Sequence, residues 1–400
     1  MAVLYFCANL QKIIIPGSTF NELQHLLGVD ATAVTKISSS FFYVYAFTQL
    51  IVGPLSDRYG GARVTCIGAL FMGVGAVLSS YLVSLPLLMF SRALTGLGAA
   101  VMYLATVKEI ARMFPSTYAT CVGILLMVGY SGSIIGAAPF VAGIQHLGYH
   151  KMVLGAGVFC MAAYLLFLNF YWKSDKIPVN KETNISLRGY LDVFKVGVNN
   201  YILFTTGLAF GMYYIFQVVI GKKLLEDYCG MTPNGAGIVI TVTMLIAACN
   251  GFFVAILSRL IGNRRRPFIL FFGYGTTLAI MIILVAIFFN CRSCMPVIIG
   301  LTISAFAGNQ GAIMLSILKE ANEESRLGTV LSVNNSFSYI VPALLGALCG
   351  RLMDVYEPTI VDGVKCYGRE SYLLVISMML GFAFVSLACS HFVKEPKKIG

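Results

Sequence analysis

Two side chains that could attract a charged solute stand inside stretches almost free of other charge. Lys12 lies about ten residues into an apolar run, roughly 15 Å at helical rise, too deep for its side chain to reach water along the helix. Arg92 lies about seven residues into a later run, nearer one end. No aspartate or glutamate occurs within these runs except Glu109, at the far end of the second. An ion at that depth lines a cavity or meets a partner, and a cation draws an anionic group. Two other readings of Lys12 stay open: it bonds carbonyls released by Pro16, or its run begins nearer the interface. A purely structural role for Arg92 is equally open.

Uncharged polar groups recur at helical spacing. Asn9, Lys12 and Pro16 share one face, as do Tyr45, Gln49 and Gly53, and also Tyr213 and Gln217. Asn309 with Gln310, and Asn334 with Asn335, are the polar clusters of two later runs. These groups can hydrogen-bond a small polar solute, and they serve equally to tie one helix to another. A second constellation, Gly53-Pro54-Leu55-Ser56-Asp57-Arg58-Tyr59-Gly60-Gly61-Ala62-Arg63, packs glycine, an acid and two bases into one tight turn. Its glycines permit a close helix-to-helix connection, Asp57 suits the positive end of a neighbouring helix, and Arg58 and Arg63 hold one side. Such a turn can latch one conformation. The plain alternative is a basic loop without a latch.

The elements that must position these residues are helices in a membrane. Hydrophobic residues make up 58% and charged residues 11%, with a mean hydropathy of +0.83, far from a soluble domain. Apolar runs of about twenty residues predict twelve spans, at roughly 2–20, 35–56, 64–83, 86–108, 118–142, 152–172, 198–219, 235–257, 267–289, 296–318, 328–348 and 371–392. The first run has no basic residue before it and reads as a retained span rather than a cleaved signal. The net charge of +11 resides in loops beside apolar runs, where anionic lipid rather than nucleic acid is the expected partner. Placing the N-terminus inside puts 18 Lys and Arg on inner loops against 8 on outer ones, which predicts both termini in the cytoplasm. Cys349 and Cys366 flank the last outer loop and could bridge it, or act as small apolar residues.

The long polar stretch 173–196 separates a six-span bundle, 1–172, from another, 197–400. An internal echo near 200 residues supports the division. Ser56–Arg63 matches Ser258–Arg264; Arg92–Gly96 matches Asn309–Gly311; the run from Gly129 to Pro139 matches Asn335 to Gly346.

At this point the chain resembles the major facilitator superfamily, whose signature between the second and third spans runs G-x-x-x-D-R-x-G-x-R/K. Gly53, Asp57, Arg58, Gly60 and Arg63 fit it in order. Arg92-Ala93-Leu94-Thr95-Gly96 resembles the family's span-four motif. Gly129 to Pro139 resembles its span-five motif, but ends Ala-Ala-Pro where drug exporters carry Gly-Pro-Xaa-Xaa-Gly. Tyr45 to Gly60, with a cation in the first span, is similar to the anion:cation symporter and sugar-phosphate permease branch. Members of that branch commonly place Arg where Lys12 stands, and a point charge replaces a planar fork here.

The resemblance implies an all-helical carrier of two pseudo-symmetric bundles, working as a monomer by alternating access. Its expected cargo is a small organic anion, moved alone, with a proton, or against a counter-anion. The expected location is an inner (cell) membrane. No metal or other cofactor is expected, since paired intramembrane histidines and a nucleotide loop are lacking. Two alternatives remain: a drug or neutral-metabolite exporter of the same superfamily, and a membrane-embedded lipid-modifying enzyme. The enzyme would want clustered acids at a span end, and Glu320, Glu323 and Glu324 form the one such cluster.

Overall fold

The computed structural model describes the chain except residues 82–83, 115, 174–186, 261–263, 309, 323, 362–363 and 394–400. The side chains of 57, 118–120, 187–188, 251–252, 255–256, 258–260, 311–312, 315–316 and 324–327 are also outside the description. Asn309, the Asp57 side chain and most of the predicted linker therefore lie outside the described residues.

The first half runs α1 (Ala2–Ile13), α2 (Phe20–Leu27), α3 (Ala31–Tyr59), α4 (Gly61–Tyr81), α5 (Leu85–Met113), α6 (Tyr118–Gly136), α7 (Ala138–Leu147) and α8 (Tyr149–Lys173). After the short α9 (Leu187–Val193) come α10 (Gly197–Val218), α11 (Gly221–Asp227), α12 (Pro233–Leu260), α13 (Arg266–Phe288), α14 (Met295–Gly308), α15 (Gly311–Ala321) and α16 (Glu324–Met353). A hairpin of β1 (Thr359–Val361) and β2 (Val364–Cys366) then precedes α17 (Arg369–Phe392). Among the described residues, nine helical stretches are long and apolar enough to cross a membrane. The stretches α1–α2 and α3 precede them in chain order, and α14–α15 lies between α13 and α16.

Several runs that read as single spans are broken rods. Pro16 lacks an N–H, and Ile15 is extended (φ −126°, ψ 116°), so α1 and α2 are separate helices joined by the irregular turn Ile14–Ser18. Likewise α10 stops at Val218 and resumes as α11, which carries the helical path to Asp227, beyond the predicted end near 219. The two breaks touch: a Cβ on Gly17 would sit 2.7 Å from the Val218 carbonyl oxygen, so only glycine allows this crossing. A connection predicted as loop contains instead the antiparallel hairpin, pairing Ile360 with Lys365.

The halves meet where α3 packs along α16 and where α6 and α7 pack along α12. We call the end of the bundle that carries the hairpin and the α2–α3 turn the far side, and the end at α1's start and α17's finish the near side. All eleven cysteines are free thiols. The bridge considered between Cys349 and Cys366 is thus not formed. Cys349 is buried in α16, while Cys366 lies half-buried on β2, whose neighbour Lys365 is bound through its carbonyl by Lys223.

Candidate functional site

Lys12 sits on the last turn of α1 and is 2% exposed, midway along the interface between the halves. Its ammonium donates to the Tyr45 hydroxyl of α3 and the Tyr339 hydroxyl of α16, each at 3.2 Å. It also lies over both rings, 4.5 and 4.9 Å from their centroids. One cation therefore joins a phenol from each half. No carboxylate is paired with it among the described residues.

Tyr339 forms part of the wall of a central cavity of about 80 Å³. Tyr5, Asn9, Tyr130 and Ser133 line it from the first half, and Phe210, Tyr213, Tyr214, Gln217 and Tyr339 from the second. Of the sequence-predicted residues, Asn9, Tyr213 and Gln217 are in this wall, with Lys12 and Tyr45 one layer behind it. The volume is below the roughly 150 Å³ that admits benzene, so a ring-sized solute does not fit the space as it stands.

Other predicted residues have different employment. Arg92 donates through Nη2 to the carbonyls of Gln11 (2.8 Å) and Ile15 (3.0 Å), and packs 4.6 Å from the Phe41 ring. These acceptors lie on the turn just before Pro16, so the guanidinium replaces hydrogen bonds that the helix gives up at the break. Gln49 donates to the Ala100 carbonyl at 2.9 Å, tying α3 to α5. Asn334 donates to Met314 Sδ at 3.0 Å, tying α16 to α15. Gln310 is buried at the α14–α15 break, and Asn335 is half-buried on α16; neither is in the cavity wall. If Arg92 braces the break, Arg92→Ala should lower thermal stability by about 3 kcal/mol, since two buried carbonyls lose a charged donor. Unchanged melting with abolished transport would instead make Arg92 a solute contact.

In the turn between α3 and α4, Gly60 has φ +84°, a conformation that favours glycine. The Gly53 carbonyl accepts a 2.7 Å bond from Lys108, Arg63 reaches the Tyr171 hydroxyl at 3.4 Å, and Arg58 is exposed over the Tyr59 ring. Glu109 accepts from the Ala62 N–H at 3.2 Å and pairs with Arg112 at 2.8 Å, so an acid caps the start of α4.

The far side is clasped shut between the halves. Asp354, at the end of α16, accepts the Ala31 and Thr32 N–H groups at 3.1 and 2.6 Å, capping the N-terminus of α3 from the opposite half. Tyr367 donates to Asp354 at 2.8 Å and accepts from Gln24 at 3.1 Å. Asn21 of α2 donates to Glu226 of α11 at 2.9 Å. Lys222–Glu226 (2.7 Å) and Lys223–Asp227 (2.9 Å) are buried ion pairs behind this clasp. Lys222 and Lys223 are two of the eight cations that the charge tally assigns to outer loops; the continuation of the seventh run as α11 buries them.

If Asp354 holds this clasp, Asp354→Asn should open it. Alkylation of a cysteine at the buried Ser39, which bonds the Ala343 carbonyl across the interface, should then proceed roughly tenfold faster from the far side than with Ser39→Cys alone. An unchanged rate would remove Asp354 from the clasp.

Sequence reasoning missed Tyr5, Tyr130, Ser133, Phe210, Tyr214 and Tyr339. The available signal was phenols inside apolar runs: Tyr5 stands one turn before Asn9, and Tyr339 one turn after Asn335.

Comparison with known proteins agrees with this architecture. The family model of the Major Facilitator Superfamily matches residues 1–347. A probable chloroplastic anion transporter 6 of Arabidopsis thaliana is 30% identical over 182 residues, 44% of this chain and 34% of that protein. The probable galactarate/D-glucarate transporter GudP of Bacillus subtilis is 23% identical over 175 residues, 42% of this chain and 38% of that protein. The matched stretch thus spans little more than a third of these relatives. The crystal structure of the nucleoside transporter NupG superposes with a TM-score of 0.68 at 14% identity, covering 97% of this chain and 97% of that one, which shows the shared fold. The chain, a multi-pass membrane protein, belongs to the major facilitator superfamily.

Proposed function

We propose that the protein carries a small organic anion across the membrane by alternating access. The observation that carries this reading is Lys12: a buried cation with no acid partner among the described residues, held between Tyr45 of one half and Tyr339 of the other. An anion arriving at Tyr339 would neutralise that charge and exchange the bond that joins the halves for one to itself. Binding and rearrangement then act on the same contact. The broken helices α1–α2 and α10–α11 cross beside this point, as expected where discontinuous helices form a solute site. Relatives named for anion and sugar-acid transport support the same solute class.

In this reading twelve helical rods cross the membrane, grouped as 1–172 and 197–400 with 173–196 as a cytoplasmic connector. Both termini are cytoplasmic, in an inner (cell) membrane, and the unit is a monomer. The far side is then the outside, and the clasp around Asp354 is the closed outer gate. The Gly53, Asp57, Arg58, Gly60, Arg63 turn is the latch of the inner side. A proton or a counter-anion would balance the moved charge.

Counterflow in proteoliposomes tests the reading. Vesicles preloaded with a small-anion mixture should accumulate labelled anion transiently and saturably. Unloaded vesicles, or vesicles loaded only with neutral sugars and nucleosides, should not. Accumulation driven by the neutral load alone would overturn it. Repeating the assay at two pH values separates exchange from proton symport.

A further inference from the structure

We infer that the central cavity selects a singly charged acid carried on a flat ring, such as an aromatic or heteroaromatic monocarboxylate. This rests on the anion-carrier reading above and narrows it.

The first argument is charge number. No residue in the cavity wall is charged, and Lys12 supplies the one positive charge at its back through Tyr339. Arg92 is turned away, with Nη2 on the Gln11 and Ile15 carbonyls. Lys222 and Lys223 are matched by Glu226 and Asp227. A monoanion matches the one cation among the described residues whose bonds reach the wall, while the charge of Arg92 stays against the Gln11 and Ile15 carbonyls. A dianion would bring a second negative charge to a wall that offers no second cation in contact, in a medium that solvates ions poorly.

The second argument is the wall itself. Rings from both halves face the space: Tyr5 and Tyr130 from one, Phe210, Tyr213, Tyr214 and Tyr339 from the other. Phe210 and Tyr214 lie 4.9 Å apart at 35°, and Tyr214 meets Tyr339 edge-on at 5.9 Å and 81°. Such mixed orientations offer both faces and edges to a planar guest. Because the rings belong to different halves, parting the halves widens the cavity without repacking either one.

The third argument is what the wall withholds. Polyols are commonly bracketed by free amides, and here each amide already spends one N–H inside the protein. Gln217 and Thr243 bond each other in both directions, at 2.9 and 3.0 Å. Asn9 gives its amide to the Tyr5 carbonyl at 2.9 Å. A hydroxyl-rich chain would forfeit hydrogen bonds to water that the wall replaces only in part.

Thermal stabilisation of the purified full chain by a small panel tests this. Benzoate and nicotinate should half-stabilise at concentrations at least tenfold lower than acetate, succinate or phosphate, and the neutral benzamide should have no effect. Lys12→Met should abolish the benzoate shift. Tyr214→Leu should raise the benzoate requirement at least fivefold without changing that for acetate. Succinate or phosphate matching benzoate overturns the single-charge inference while leaving an anion carrier. Acetate matching benzoate overturns the ring. Benzamide acting where every anion fails overturns the anion reading itself, and absence of any shift with both ring acids overturns the inference.

Discussion

Replacing Lys12 by methionine is expected to reduce counterflow of every transported anion at least a hundredfold while leaving the protein folded. The substituted chain keeps most of the side-chain volume between Tyr45 and Tyr339 but loses the charge. Truncating one partner of a buried, hydrogen-bonded charge interaction typically costs about 3–5 kcal/mol, and each 1.4 kcal/mol is tenfold. The uncharged cost runs the other way for folding. A lysine without an acid partner is expensive to bury, so Lys12→Met should melt at the same temperature or higher in the absence of solute. The two measurements together separate binding from stability. Wild-type counterflow by the methionine variant would end the case for charge attraction at this position, and a large fall in melting temperature would make Lys12 a structural brace.

The second large effect is expected at Gly132. A Cβ there would stand 2.3 Å from the carbonyl oxygen of Phe6, on α1, in a contact between two backbones that cannot yield by a rotamer change. Gly132→Val should push α6 off α1, costing about 3 kcal/mol or more through overpacking. It should also abolish transport, because α1 carries Lys12 and Asn9. Gly123 lies on the same helix, and a Cβ there meets nothing within 4 Å, so Gly123→Val is the matched control and should change stability by less than about 0.5 kcal/mol. Thermal unfolding in detergent and liposome counterflow read both. Equal behaviour of the two variants would show that α1 and α6 do not depend on this approach.

The family and its helices were legible because the bilayer imposes a simple code. Runs such as 267–289 need about twenty apolar residues whatever packs against them, and the structure finds α13 at Arg266–Phe288. The turn from Gly53 to Arg63 was legible because tight connections restrict residue type, as the positive φ of Gly60 bears out. Continuations past the predicted ends were not legible. α2 and α11 are amphipathic or charged, and their membership in the rods depends on tertiary burial, α2 against β2 and α11 chiefly against α12 and α10. Lys222 and Lys223 read as loop cations for that reason, although each has an acid one helical turn ahead.

The polar stripes show the same division. Asn9, Lys12, Tyr213 and Gln217 stand out in the sequence as buried polar groups, since any such group in a membrane needs a reason. Which reason applies is a three-dimensional matter. Gln49 and Asn334 meet neighbouring helices, Arg92 meets the carbonyls at the Pro16 break, and Lys12 alone meets one phenol from each half. By itself the sequence determined the solvent, the family and the presence of a deep cation, because hydropathy, turn sterics and the cost of burying charge act locally along the chain. Only the tertiary structure decided that Tyr5, Tyr130, Tyr214 and Tyr339 converge on one space and that the far side is clasped through Asp354. Those contacts join residues up to 343 positions apart, as Gln24 and Tyr367 do, and no local period encodes which faces of two bundles will meet.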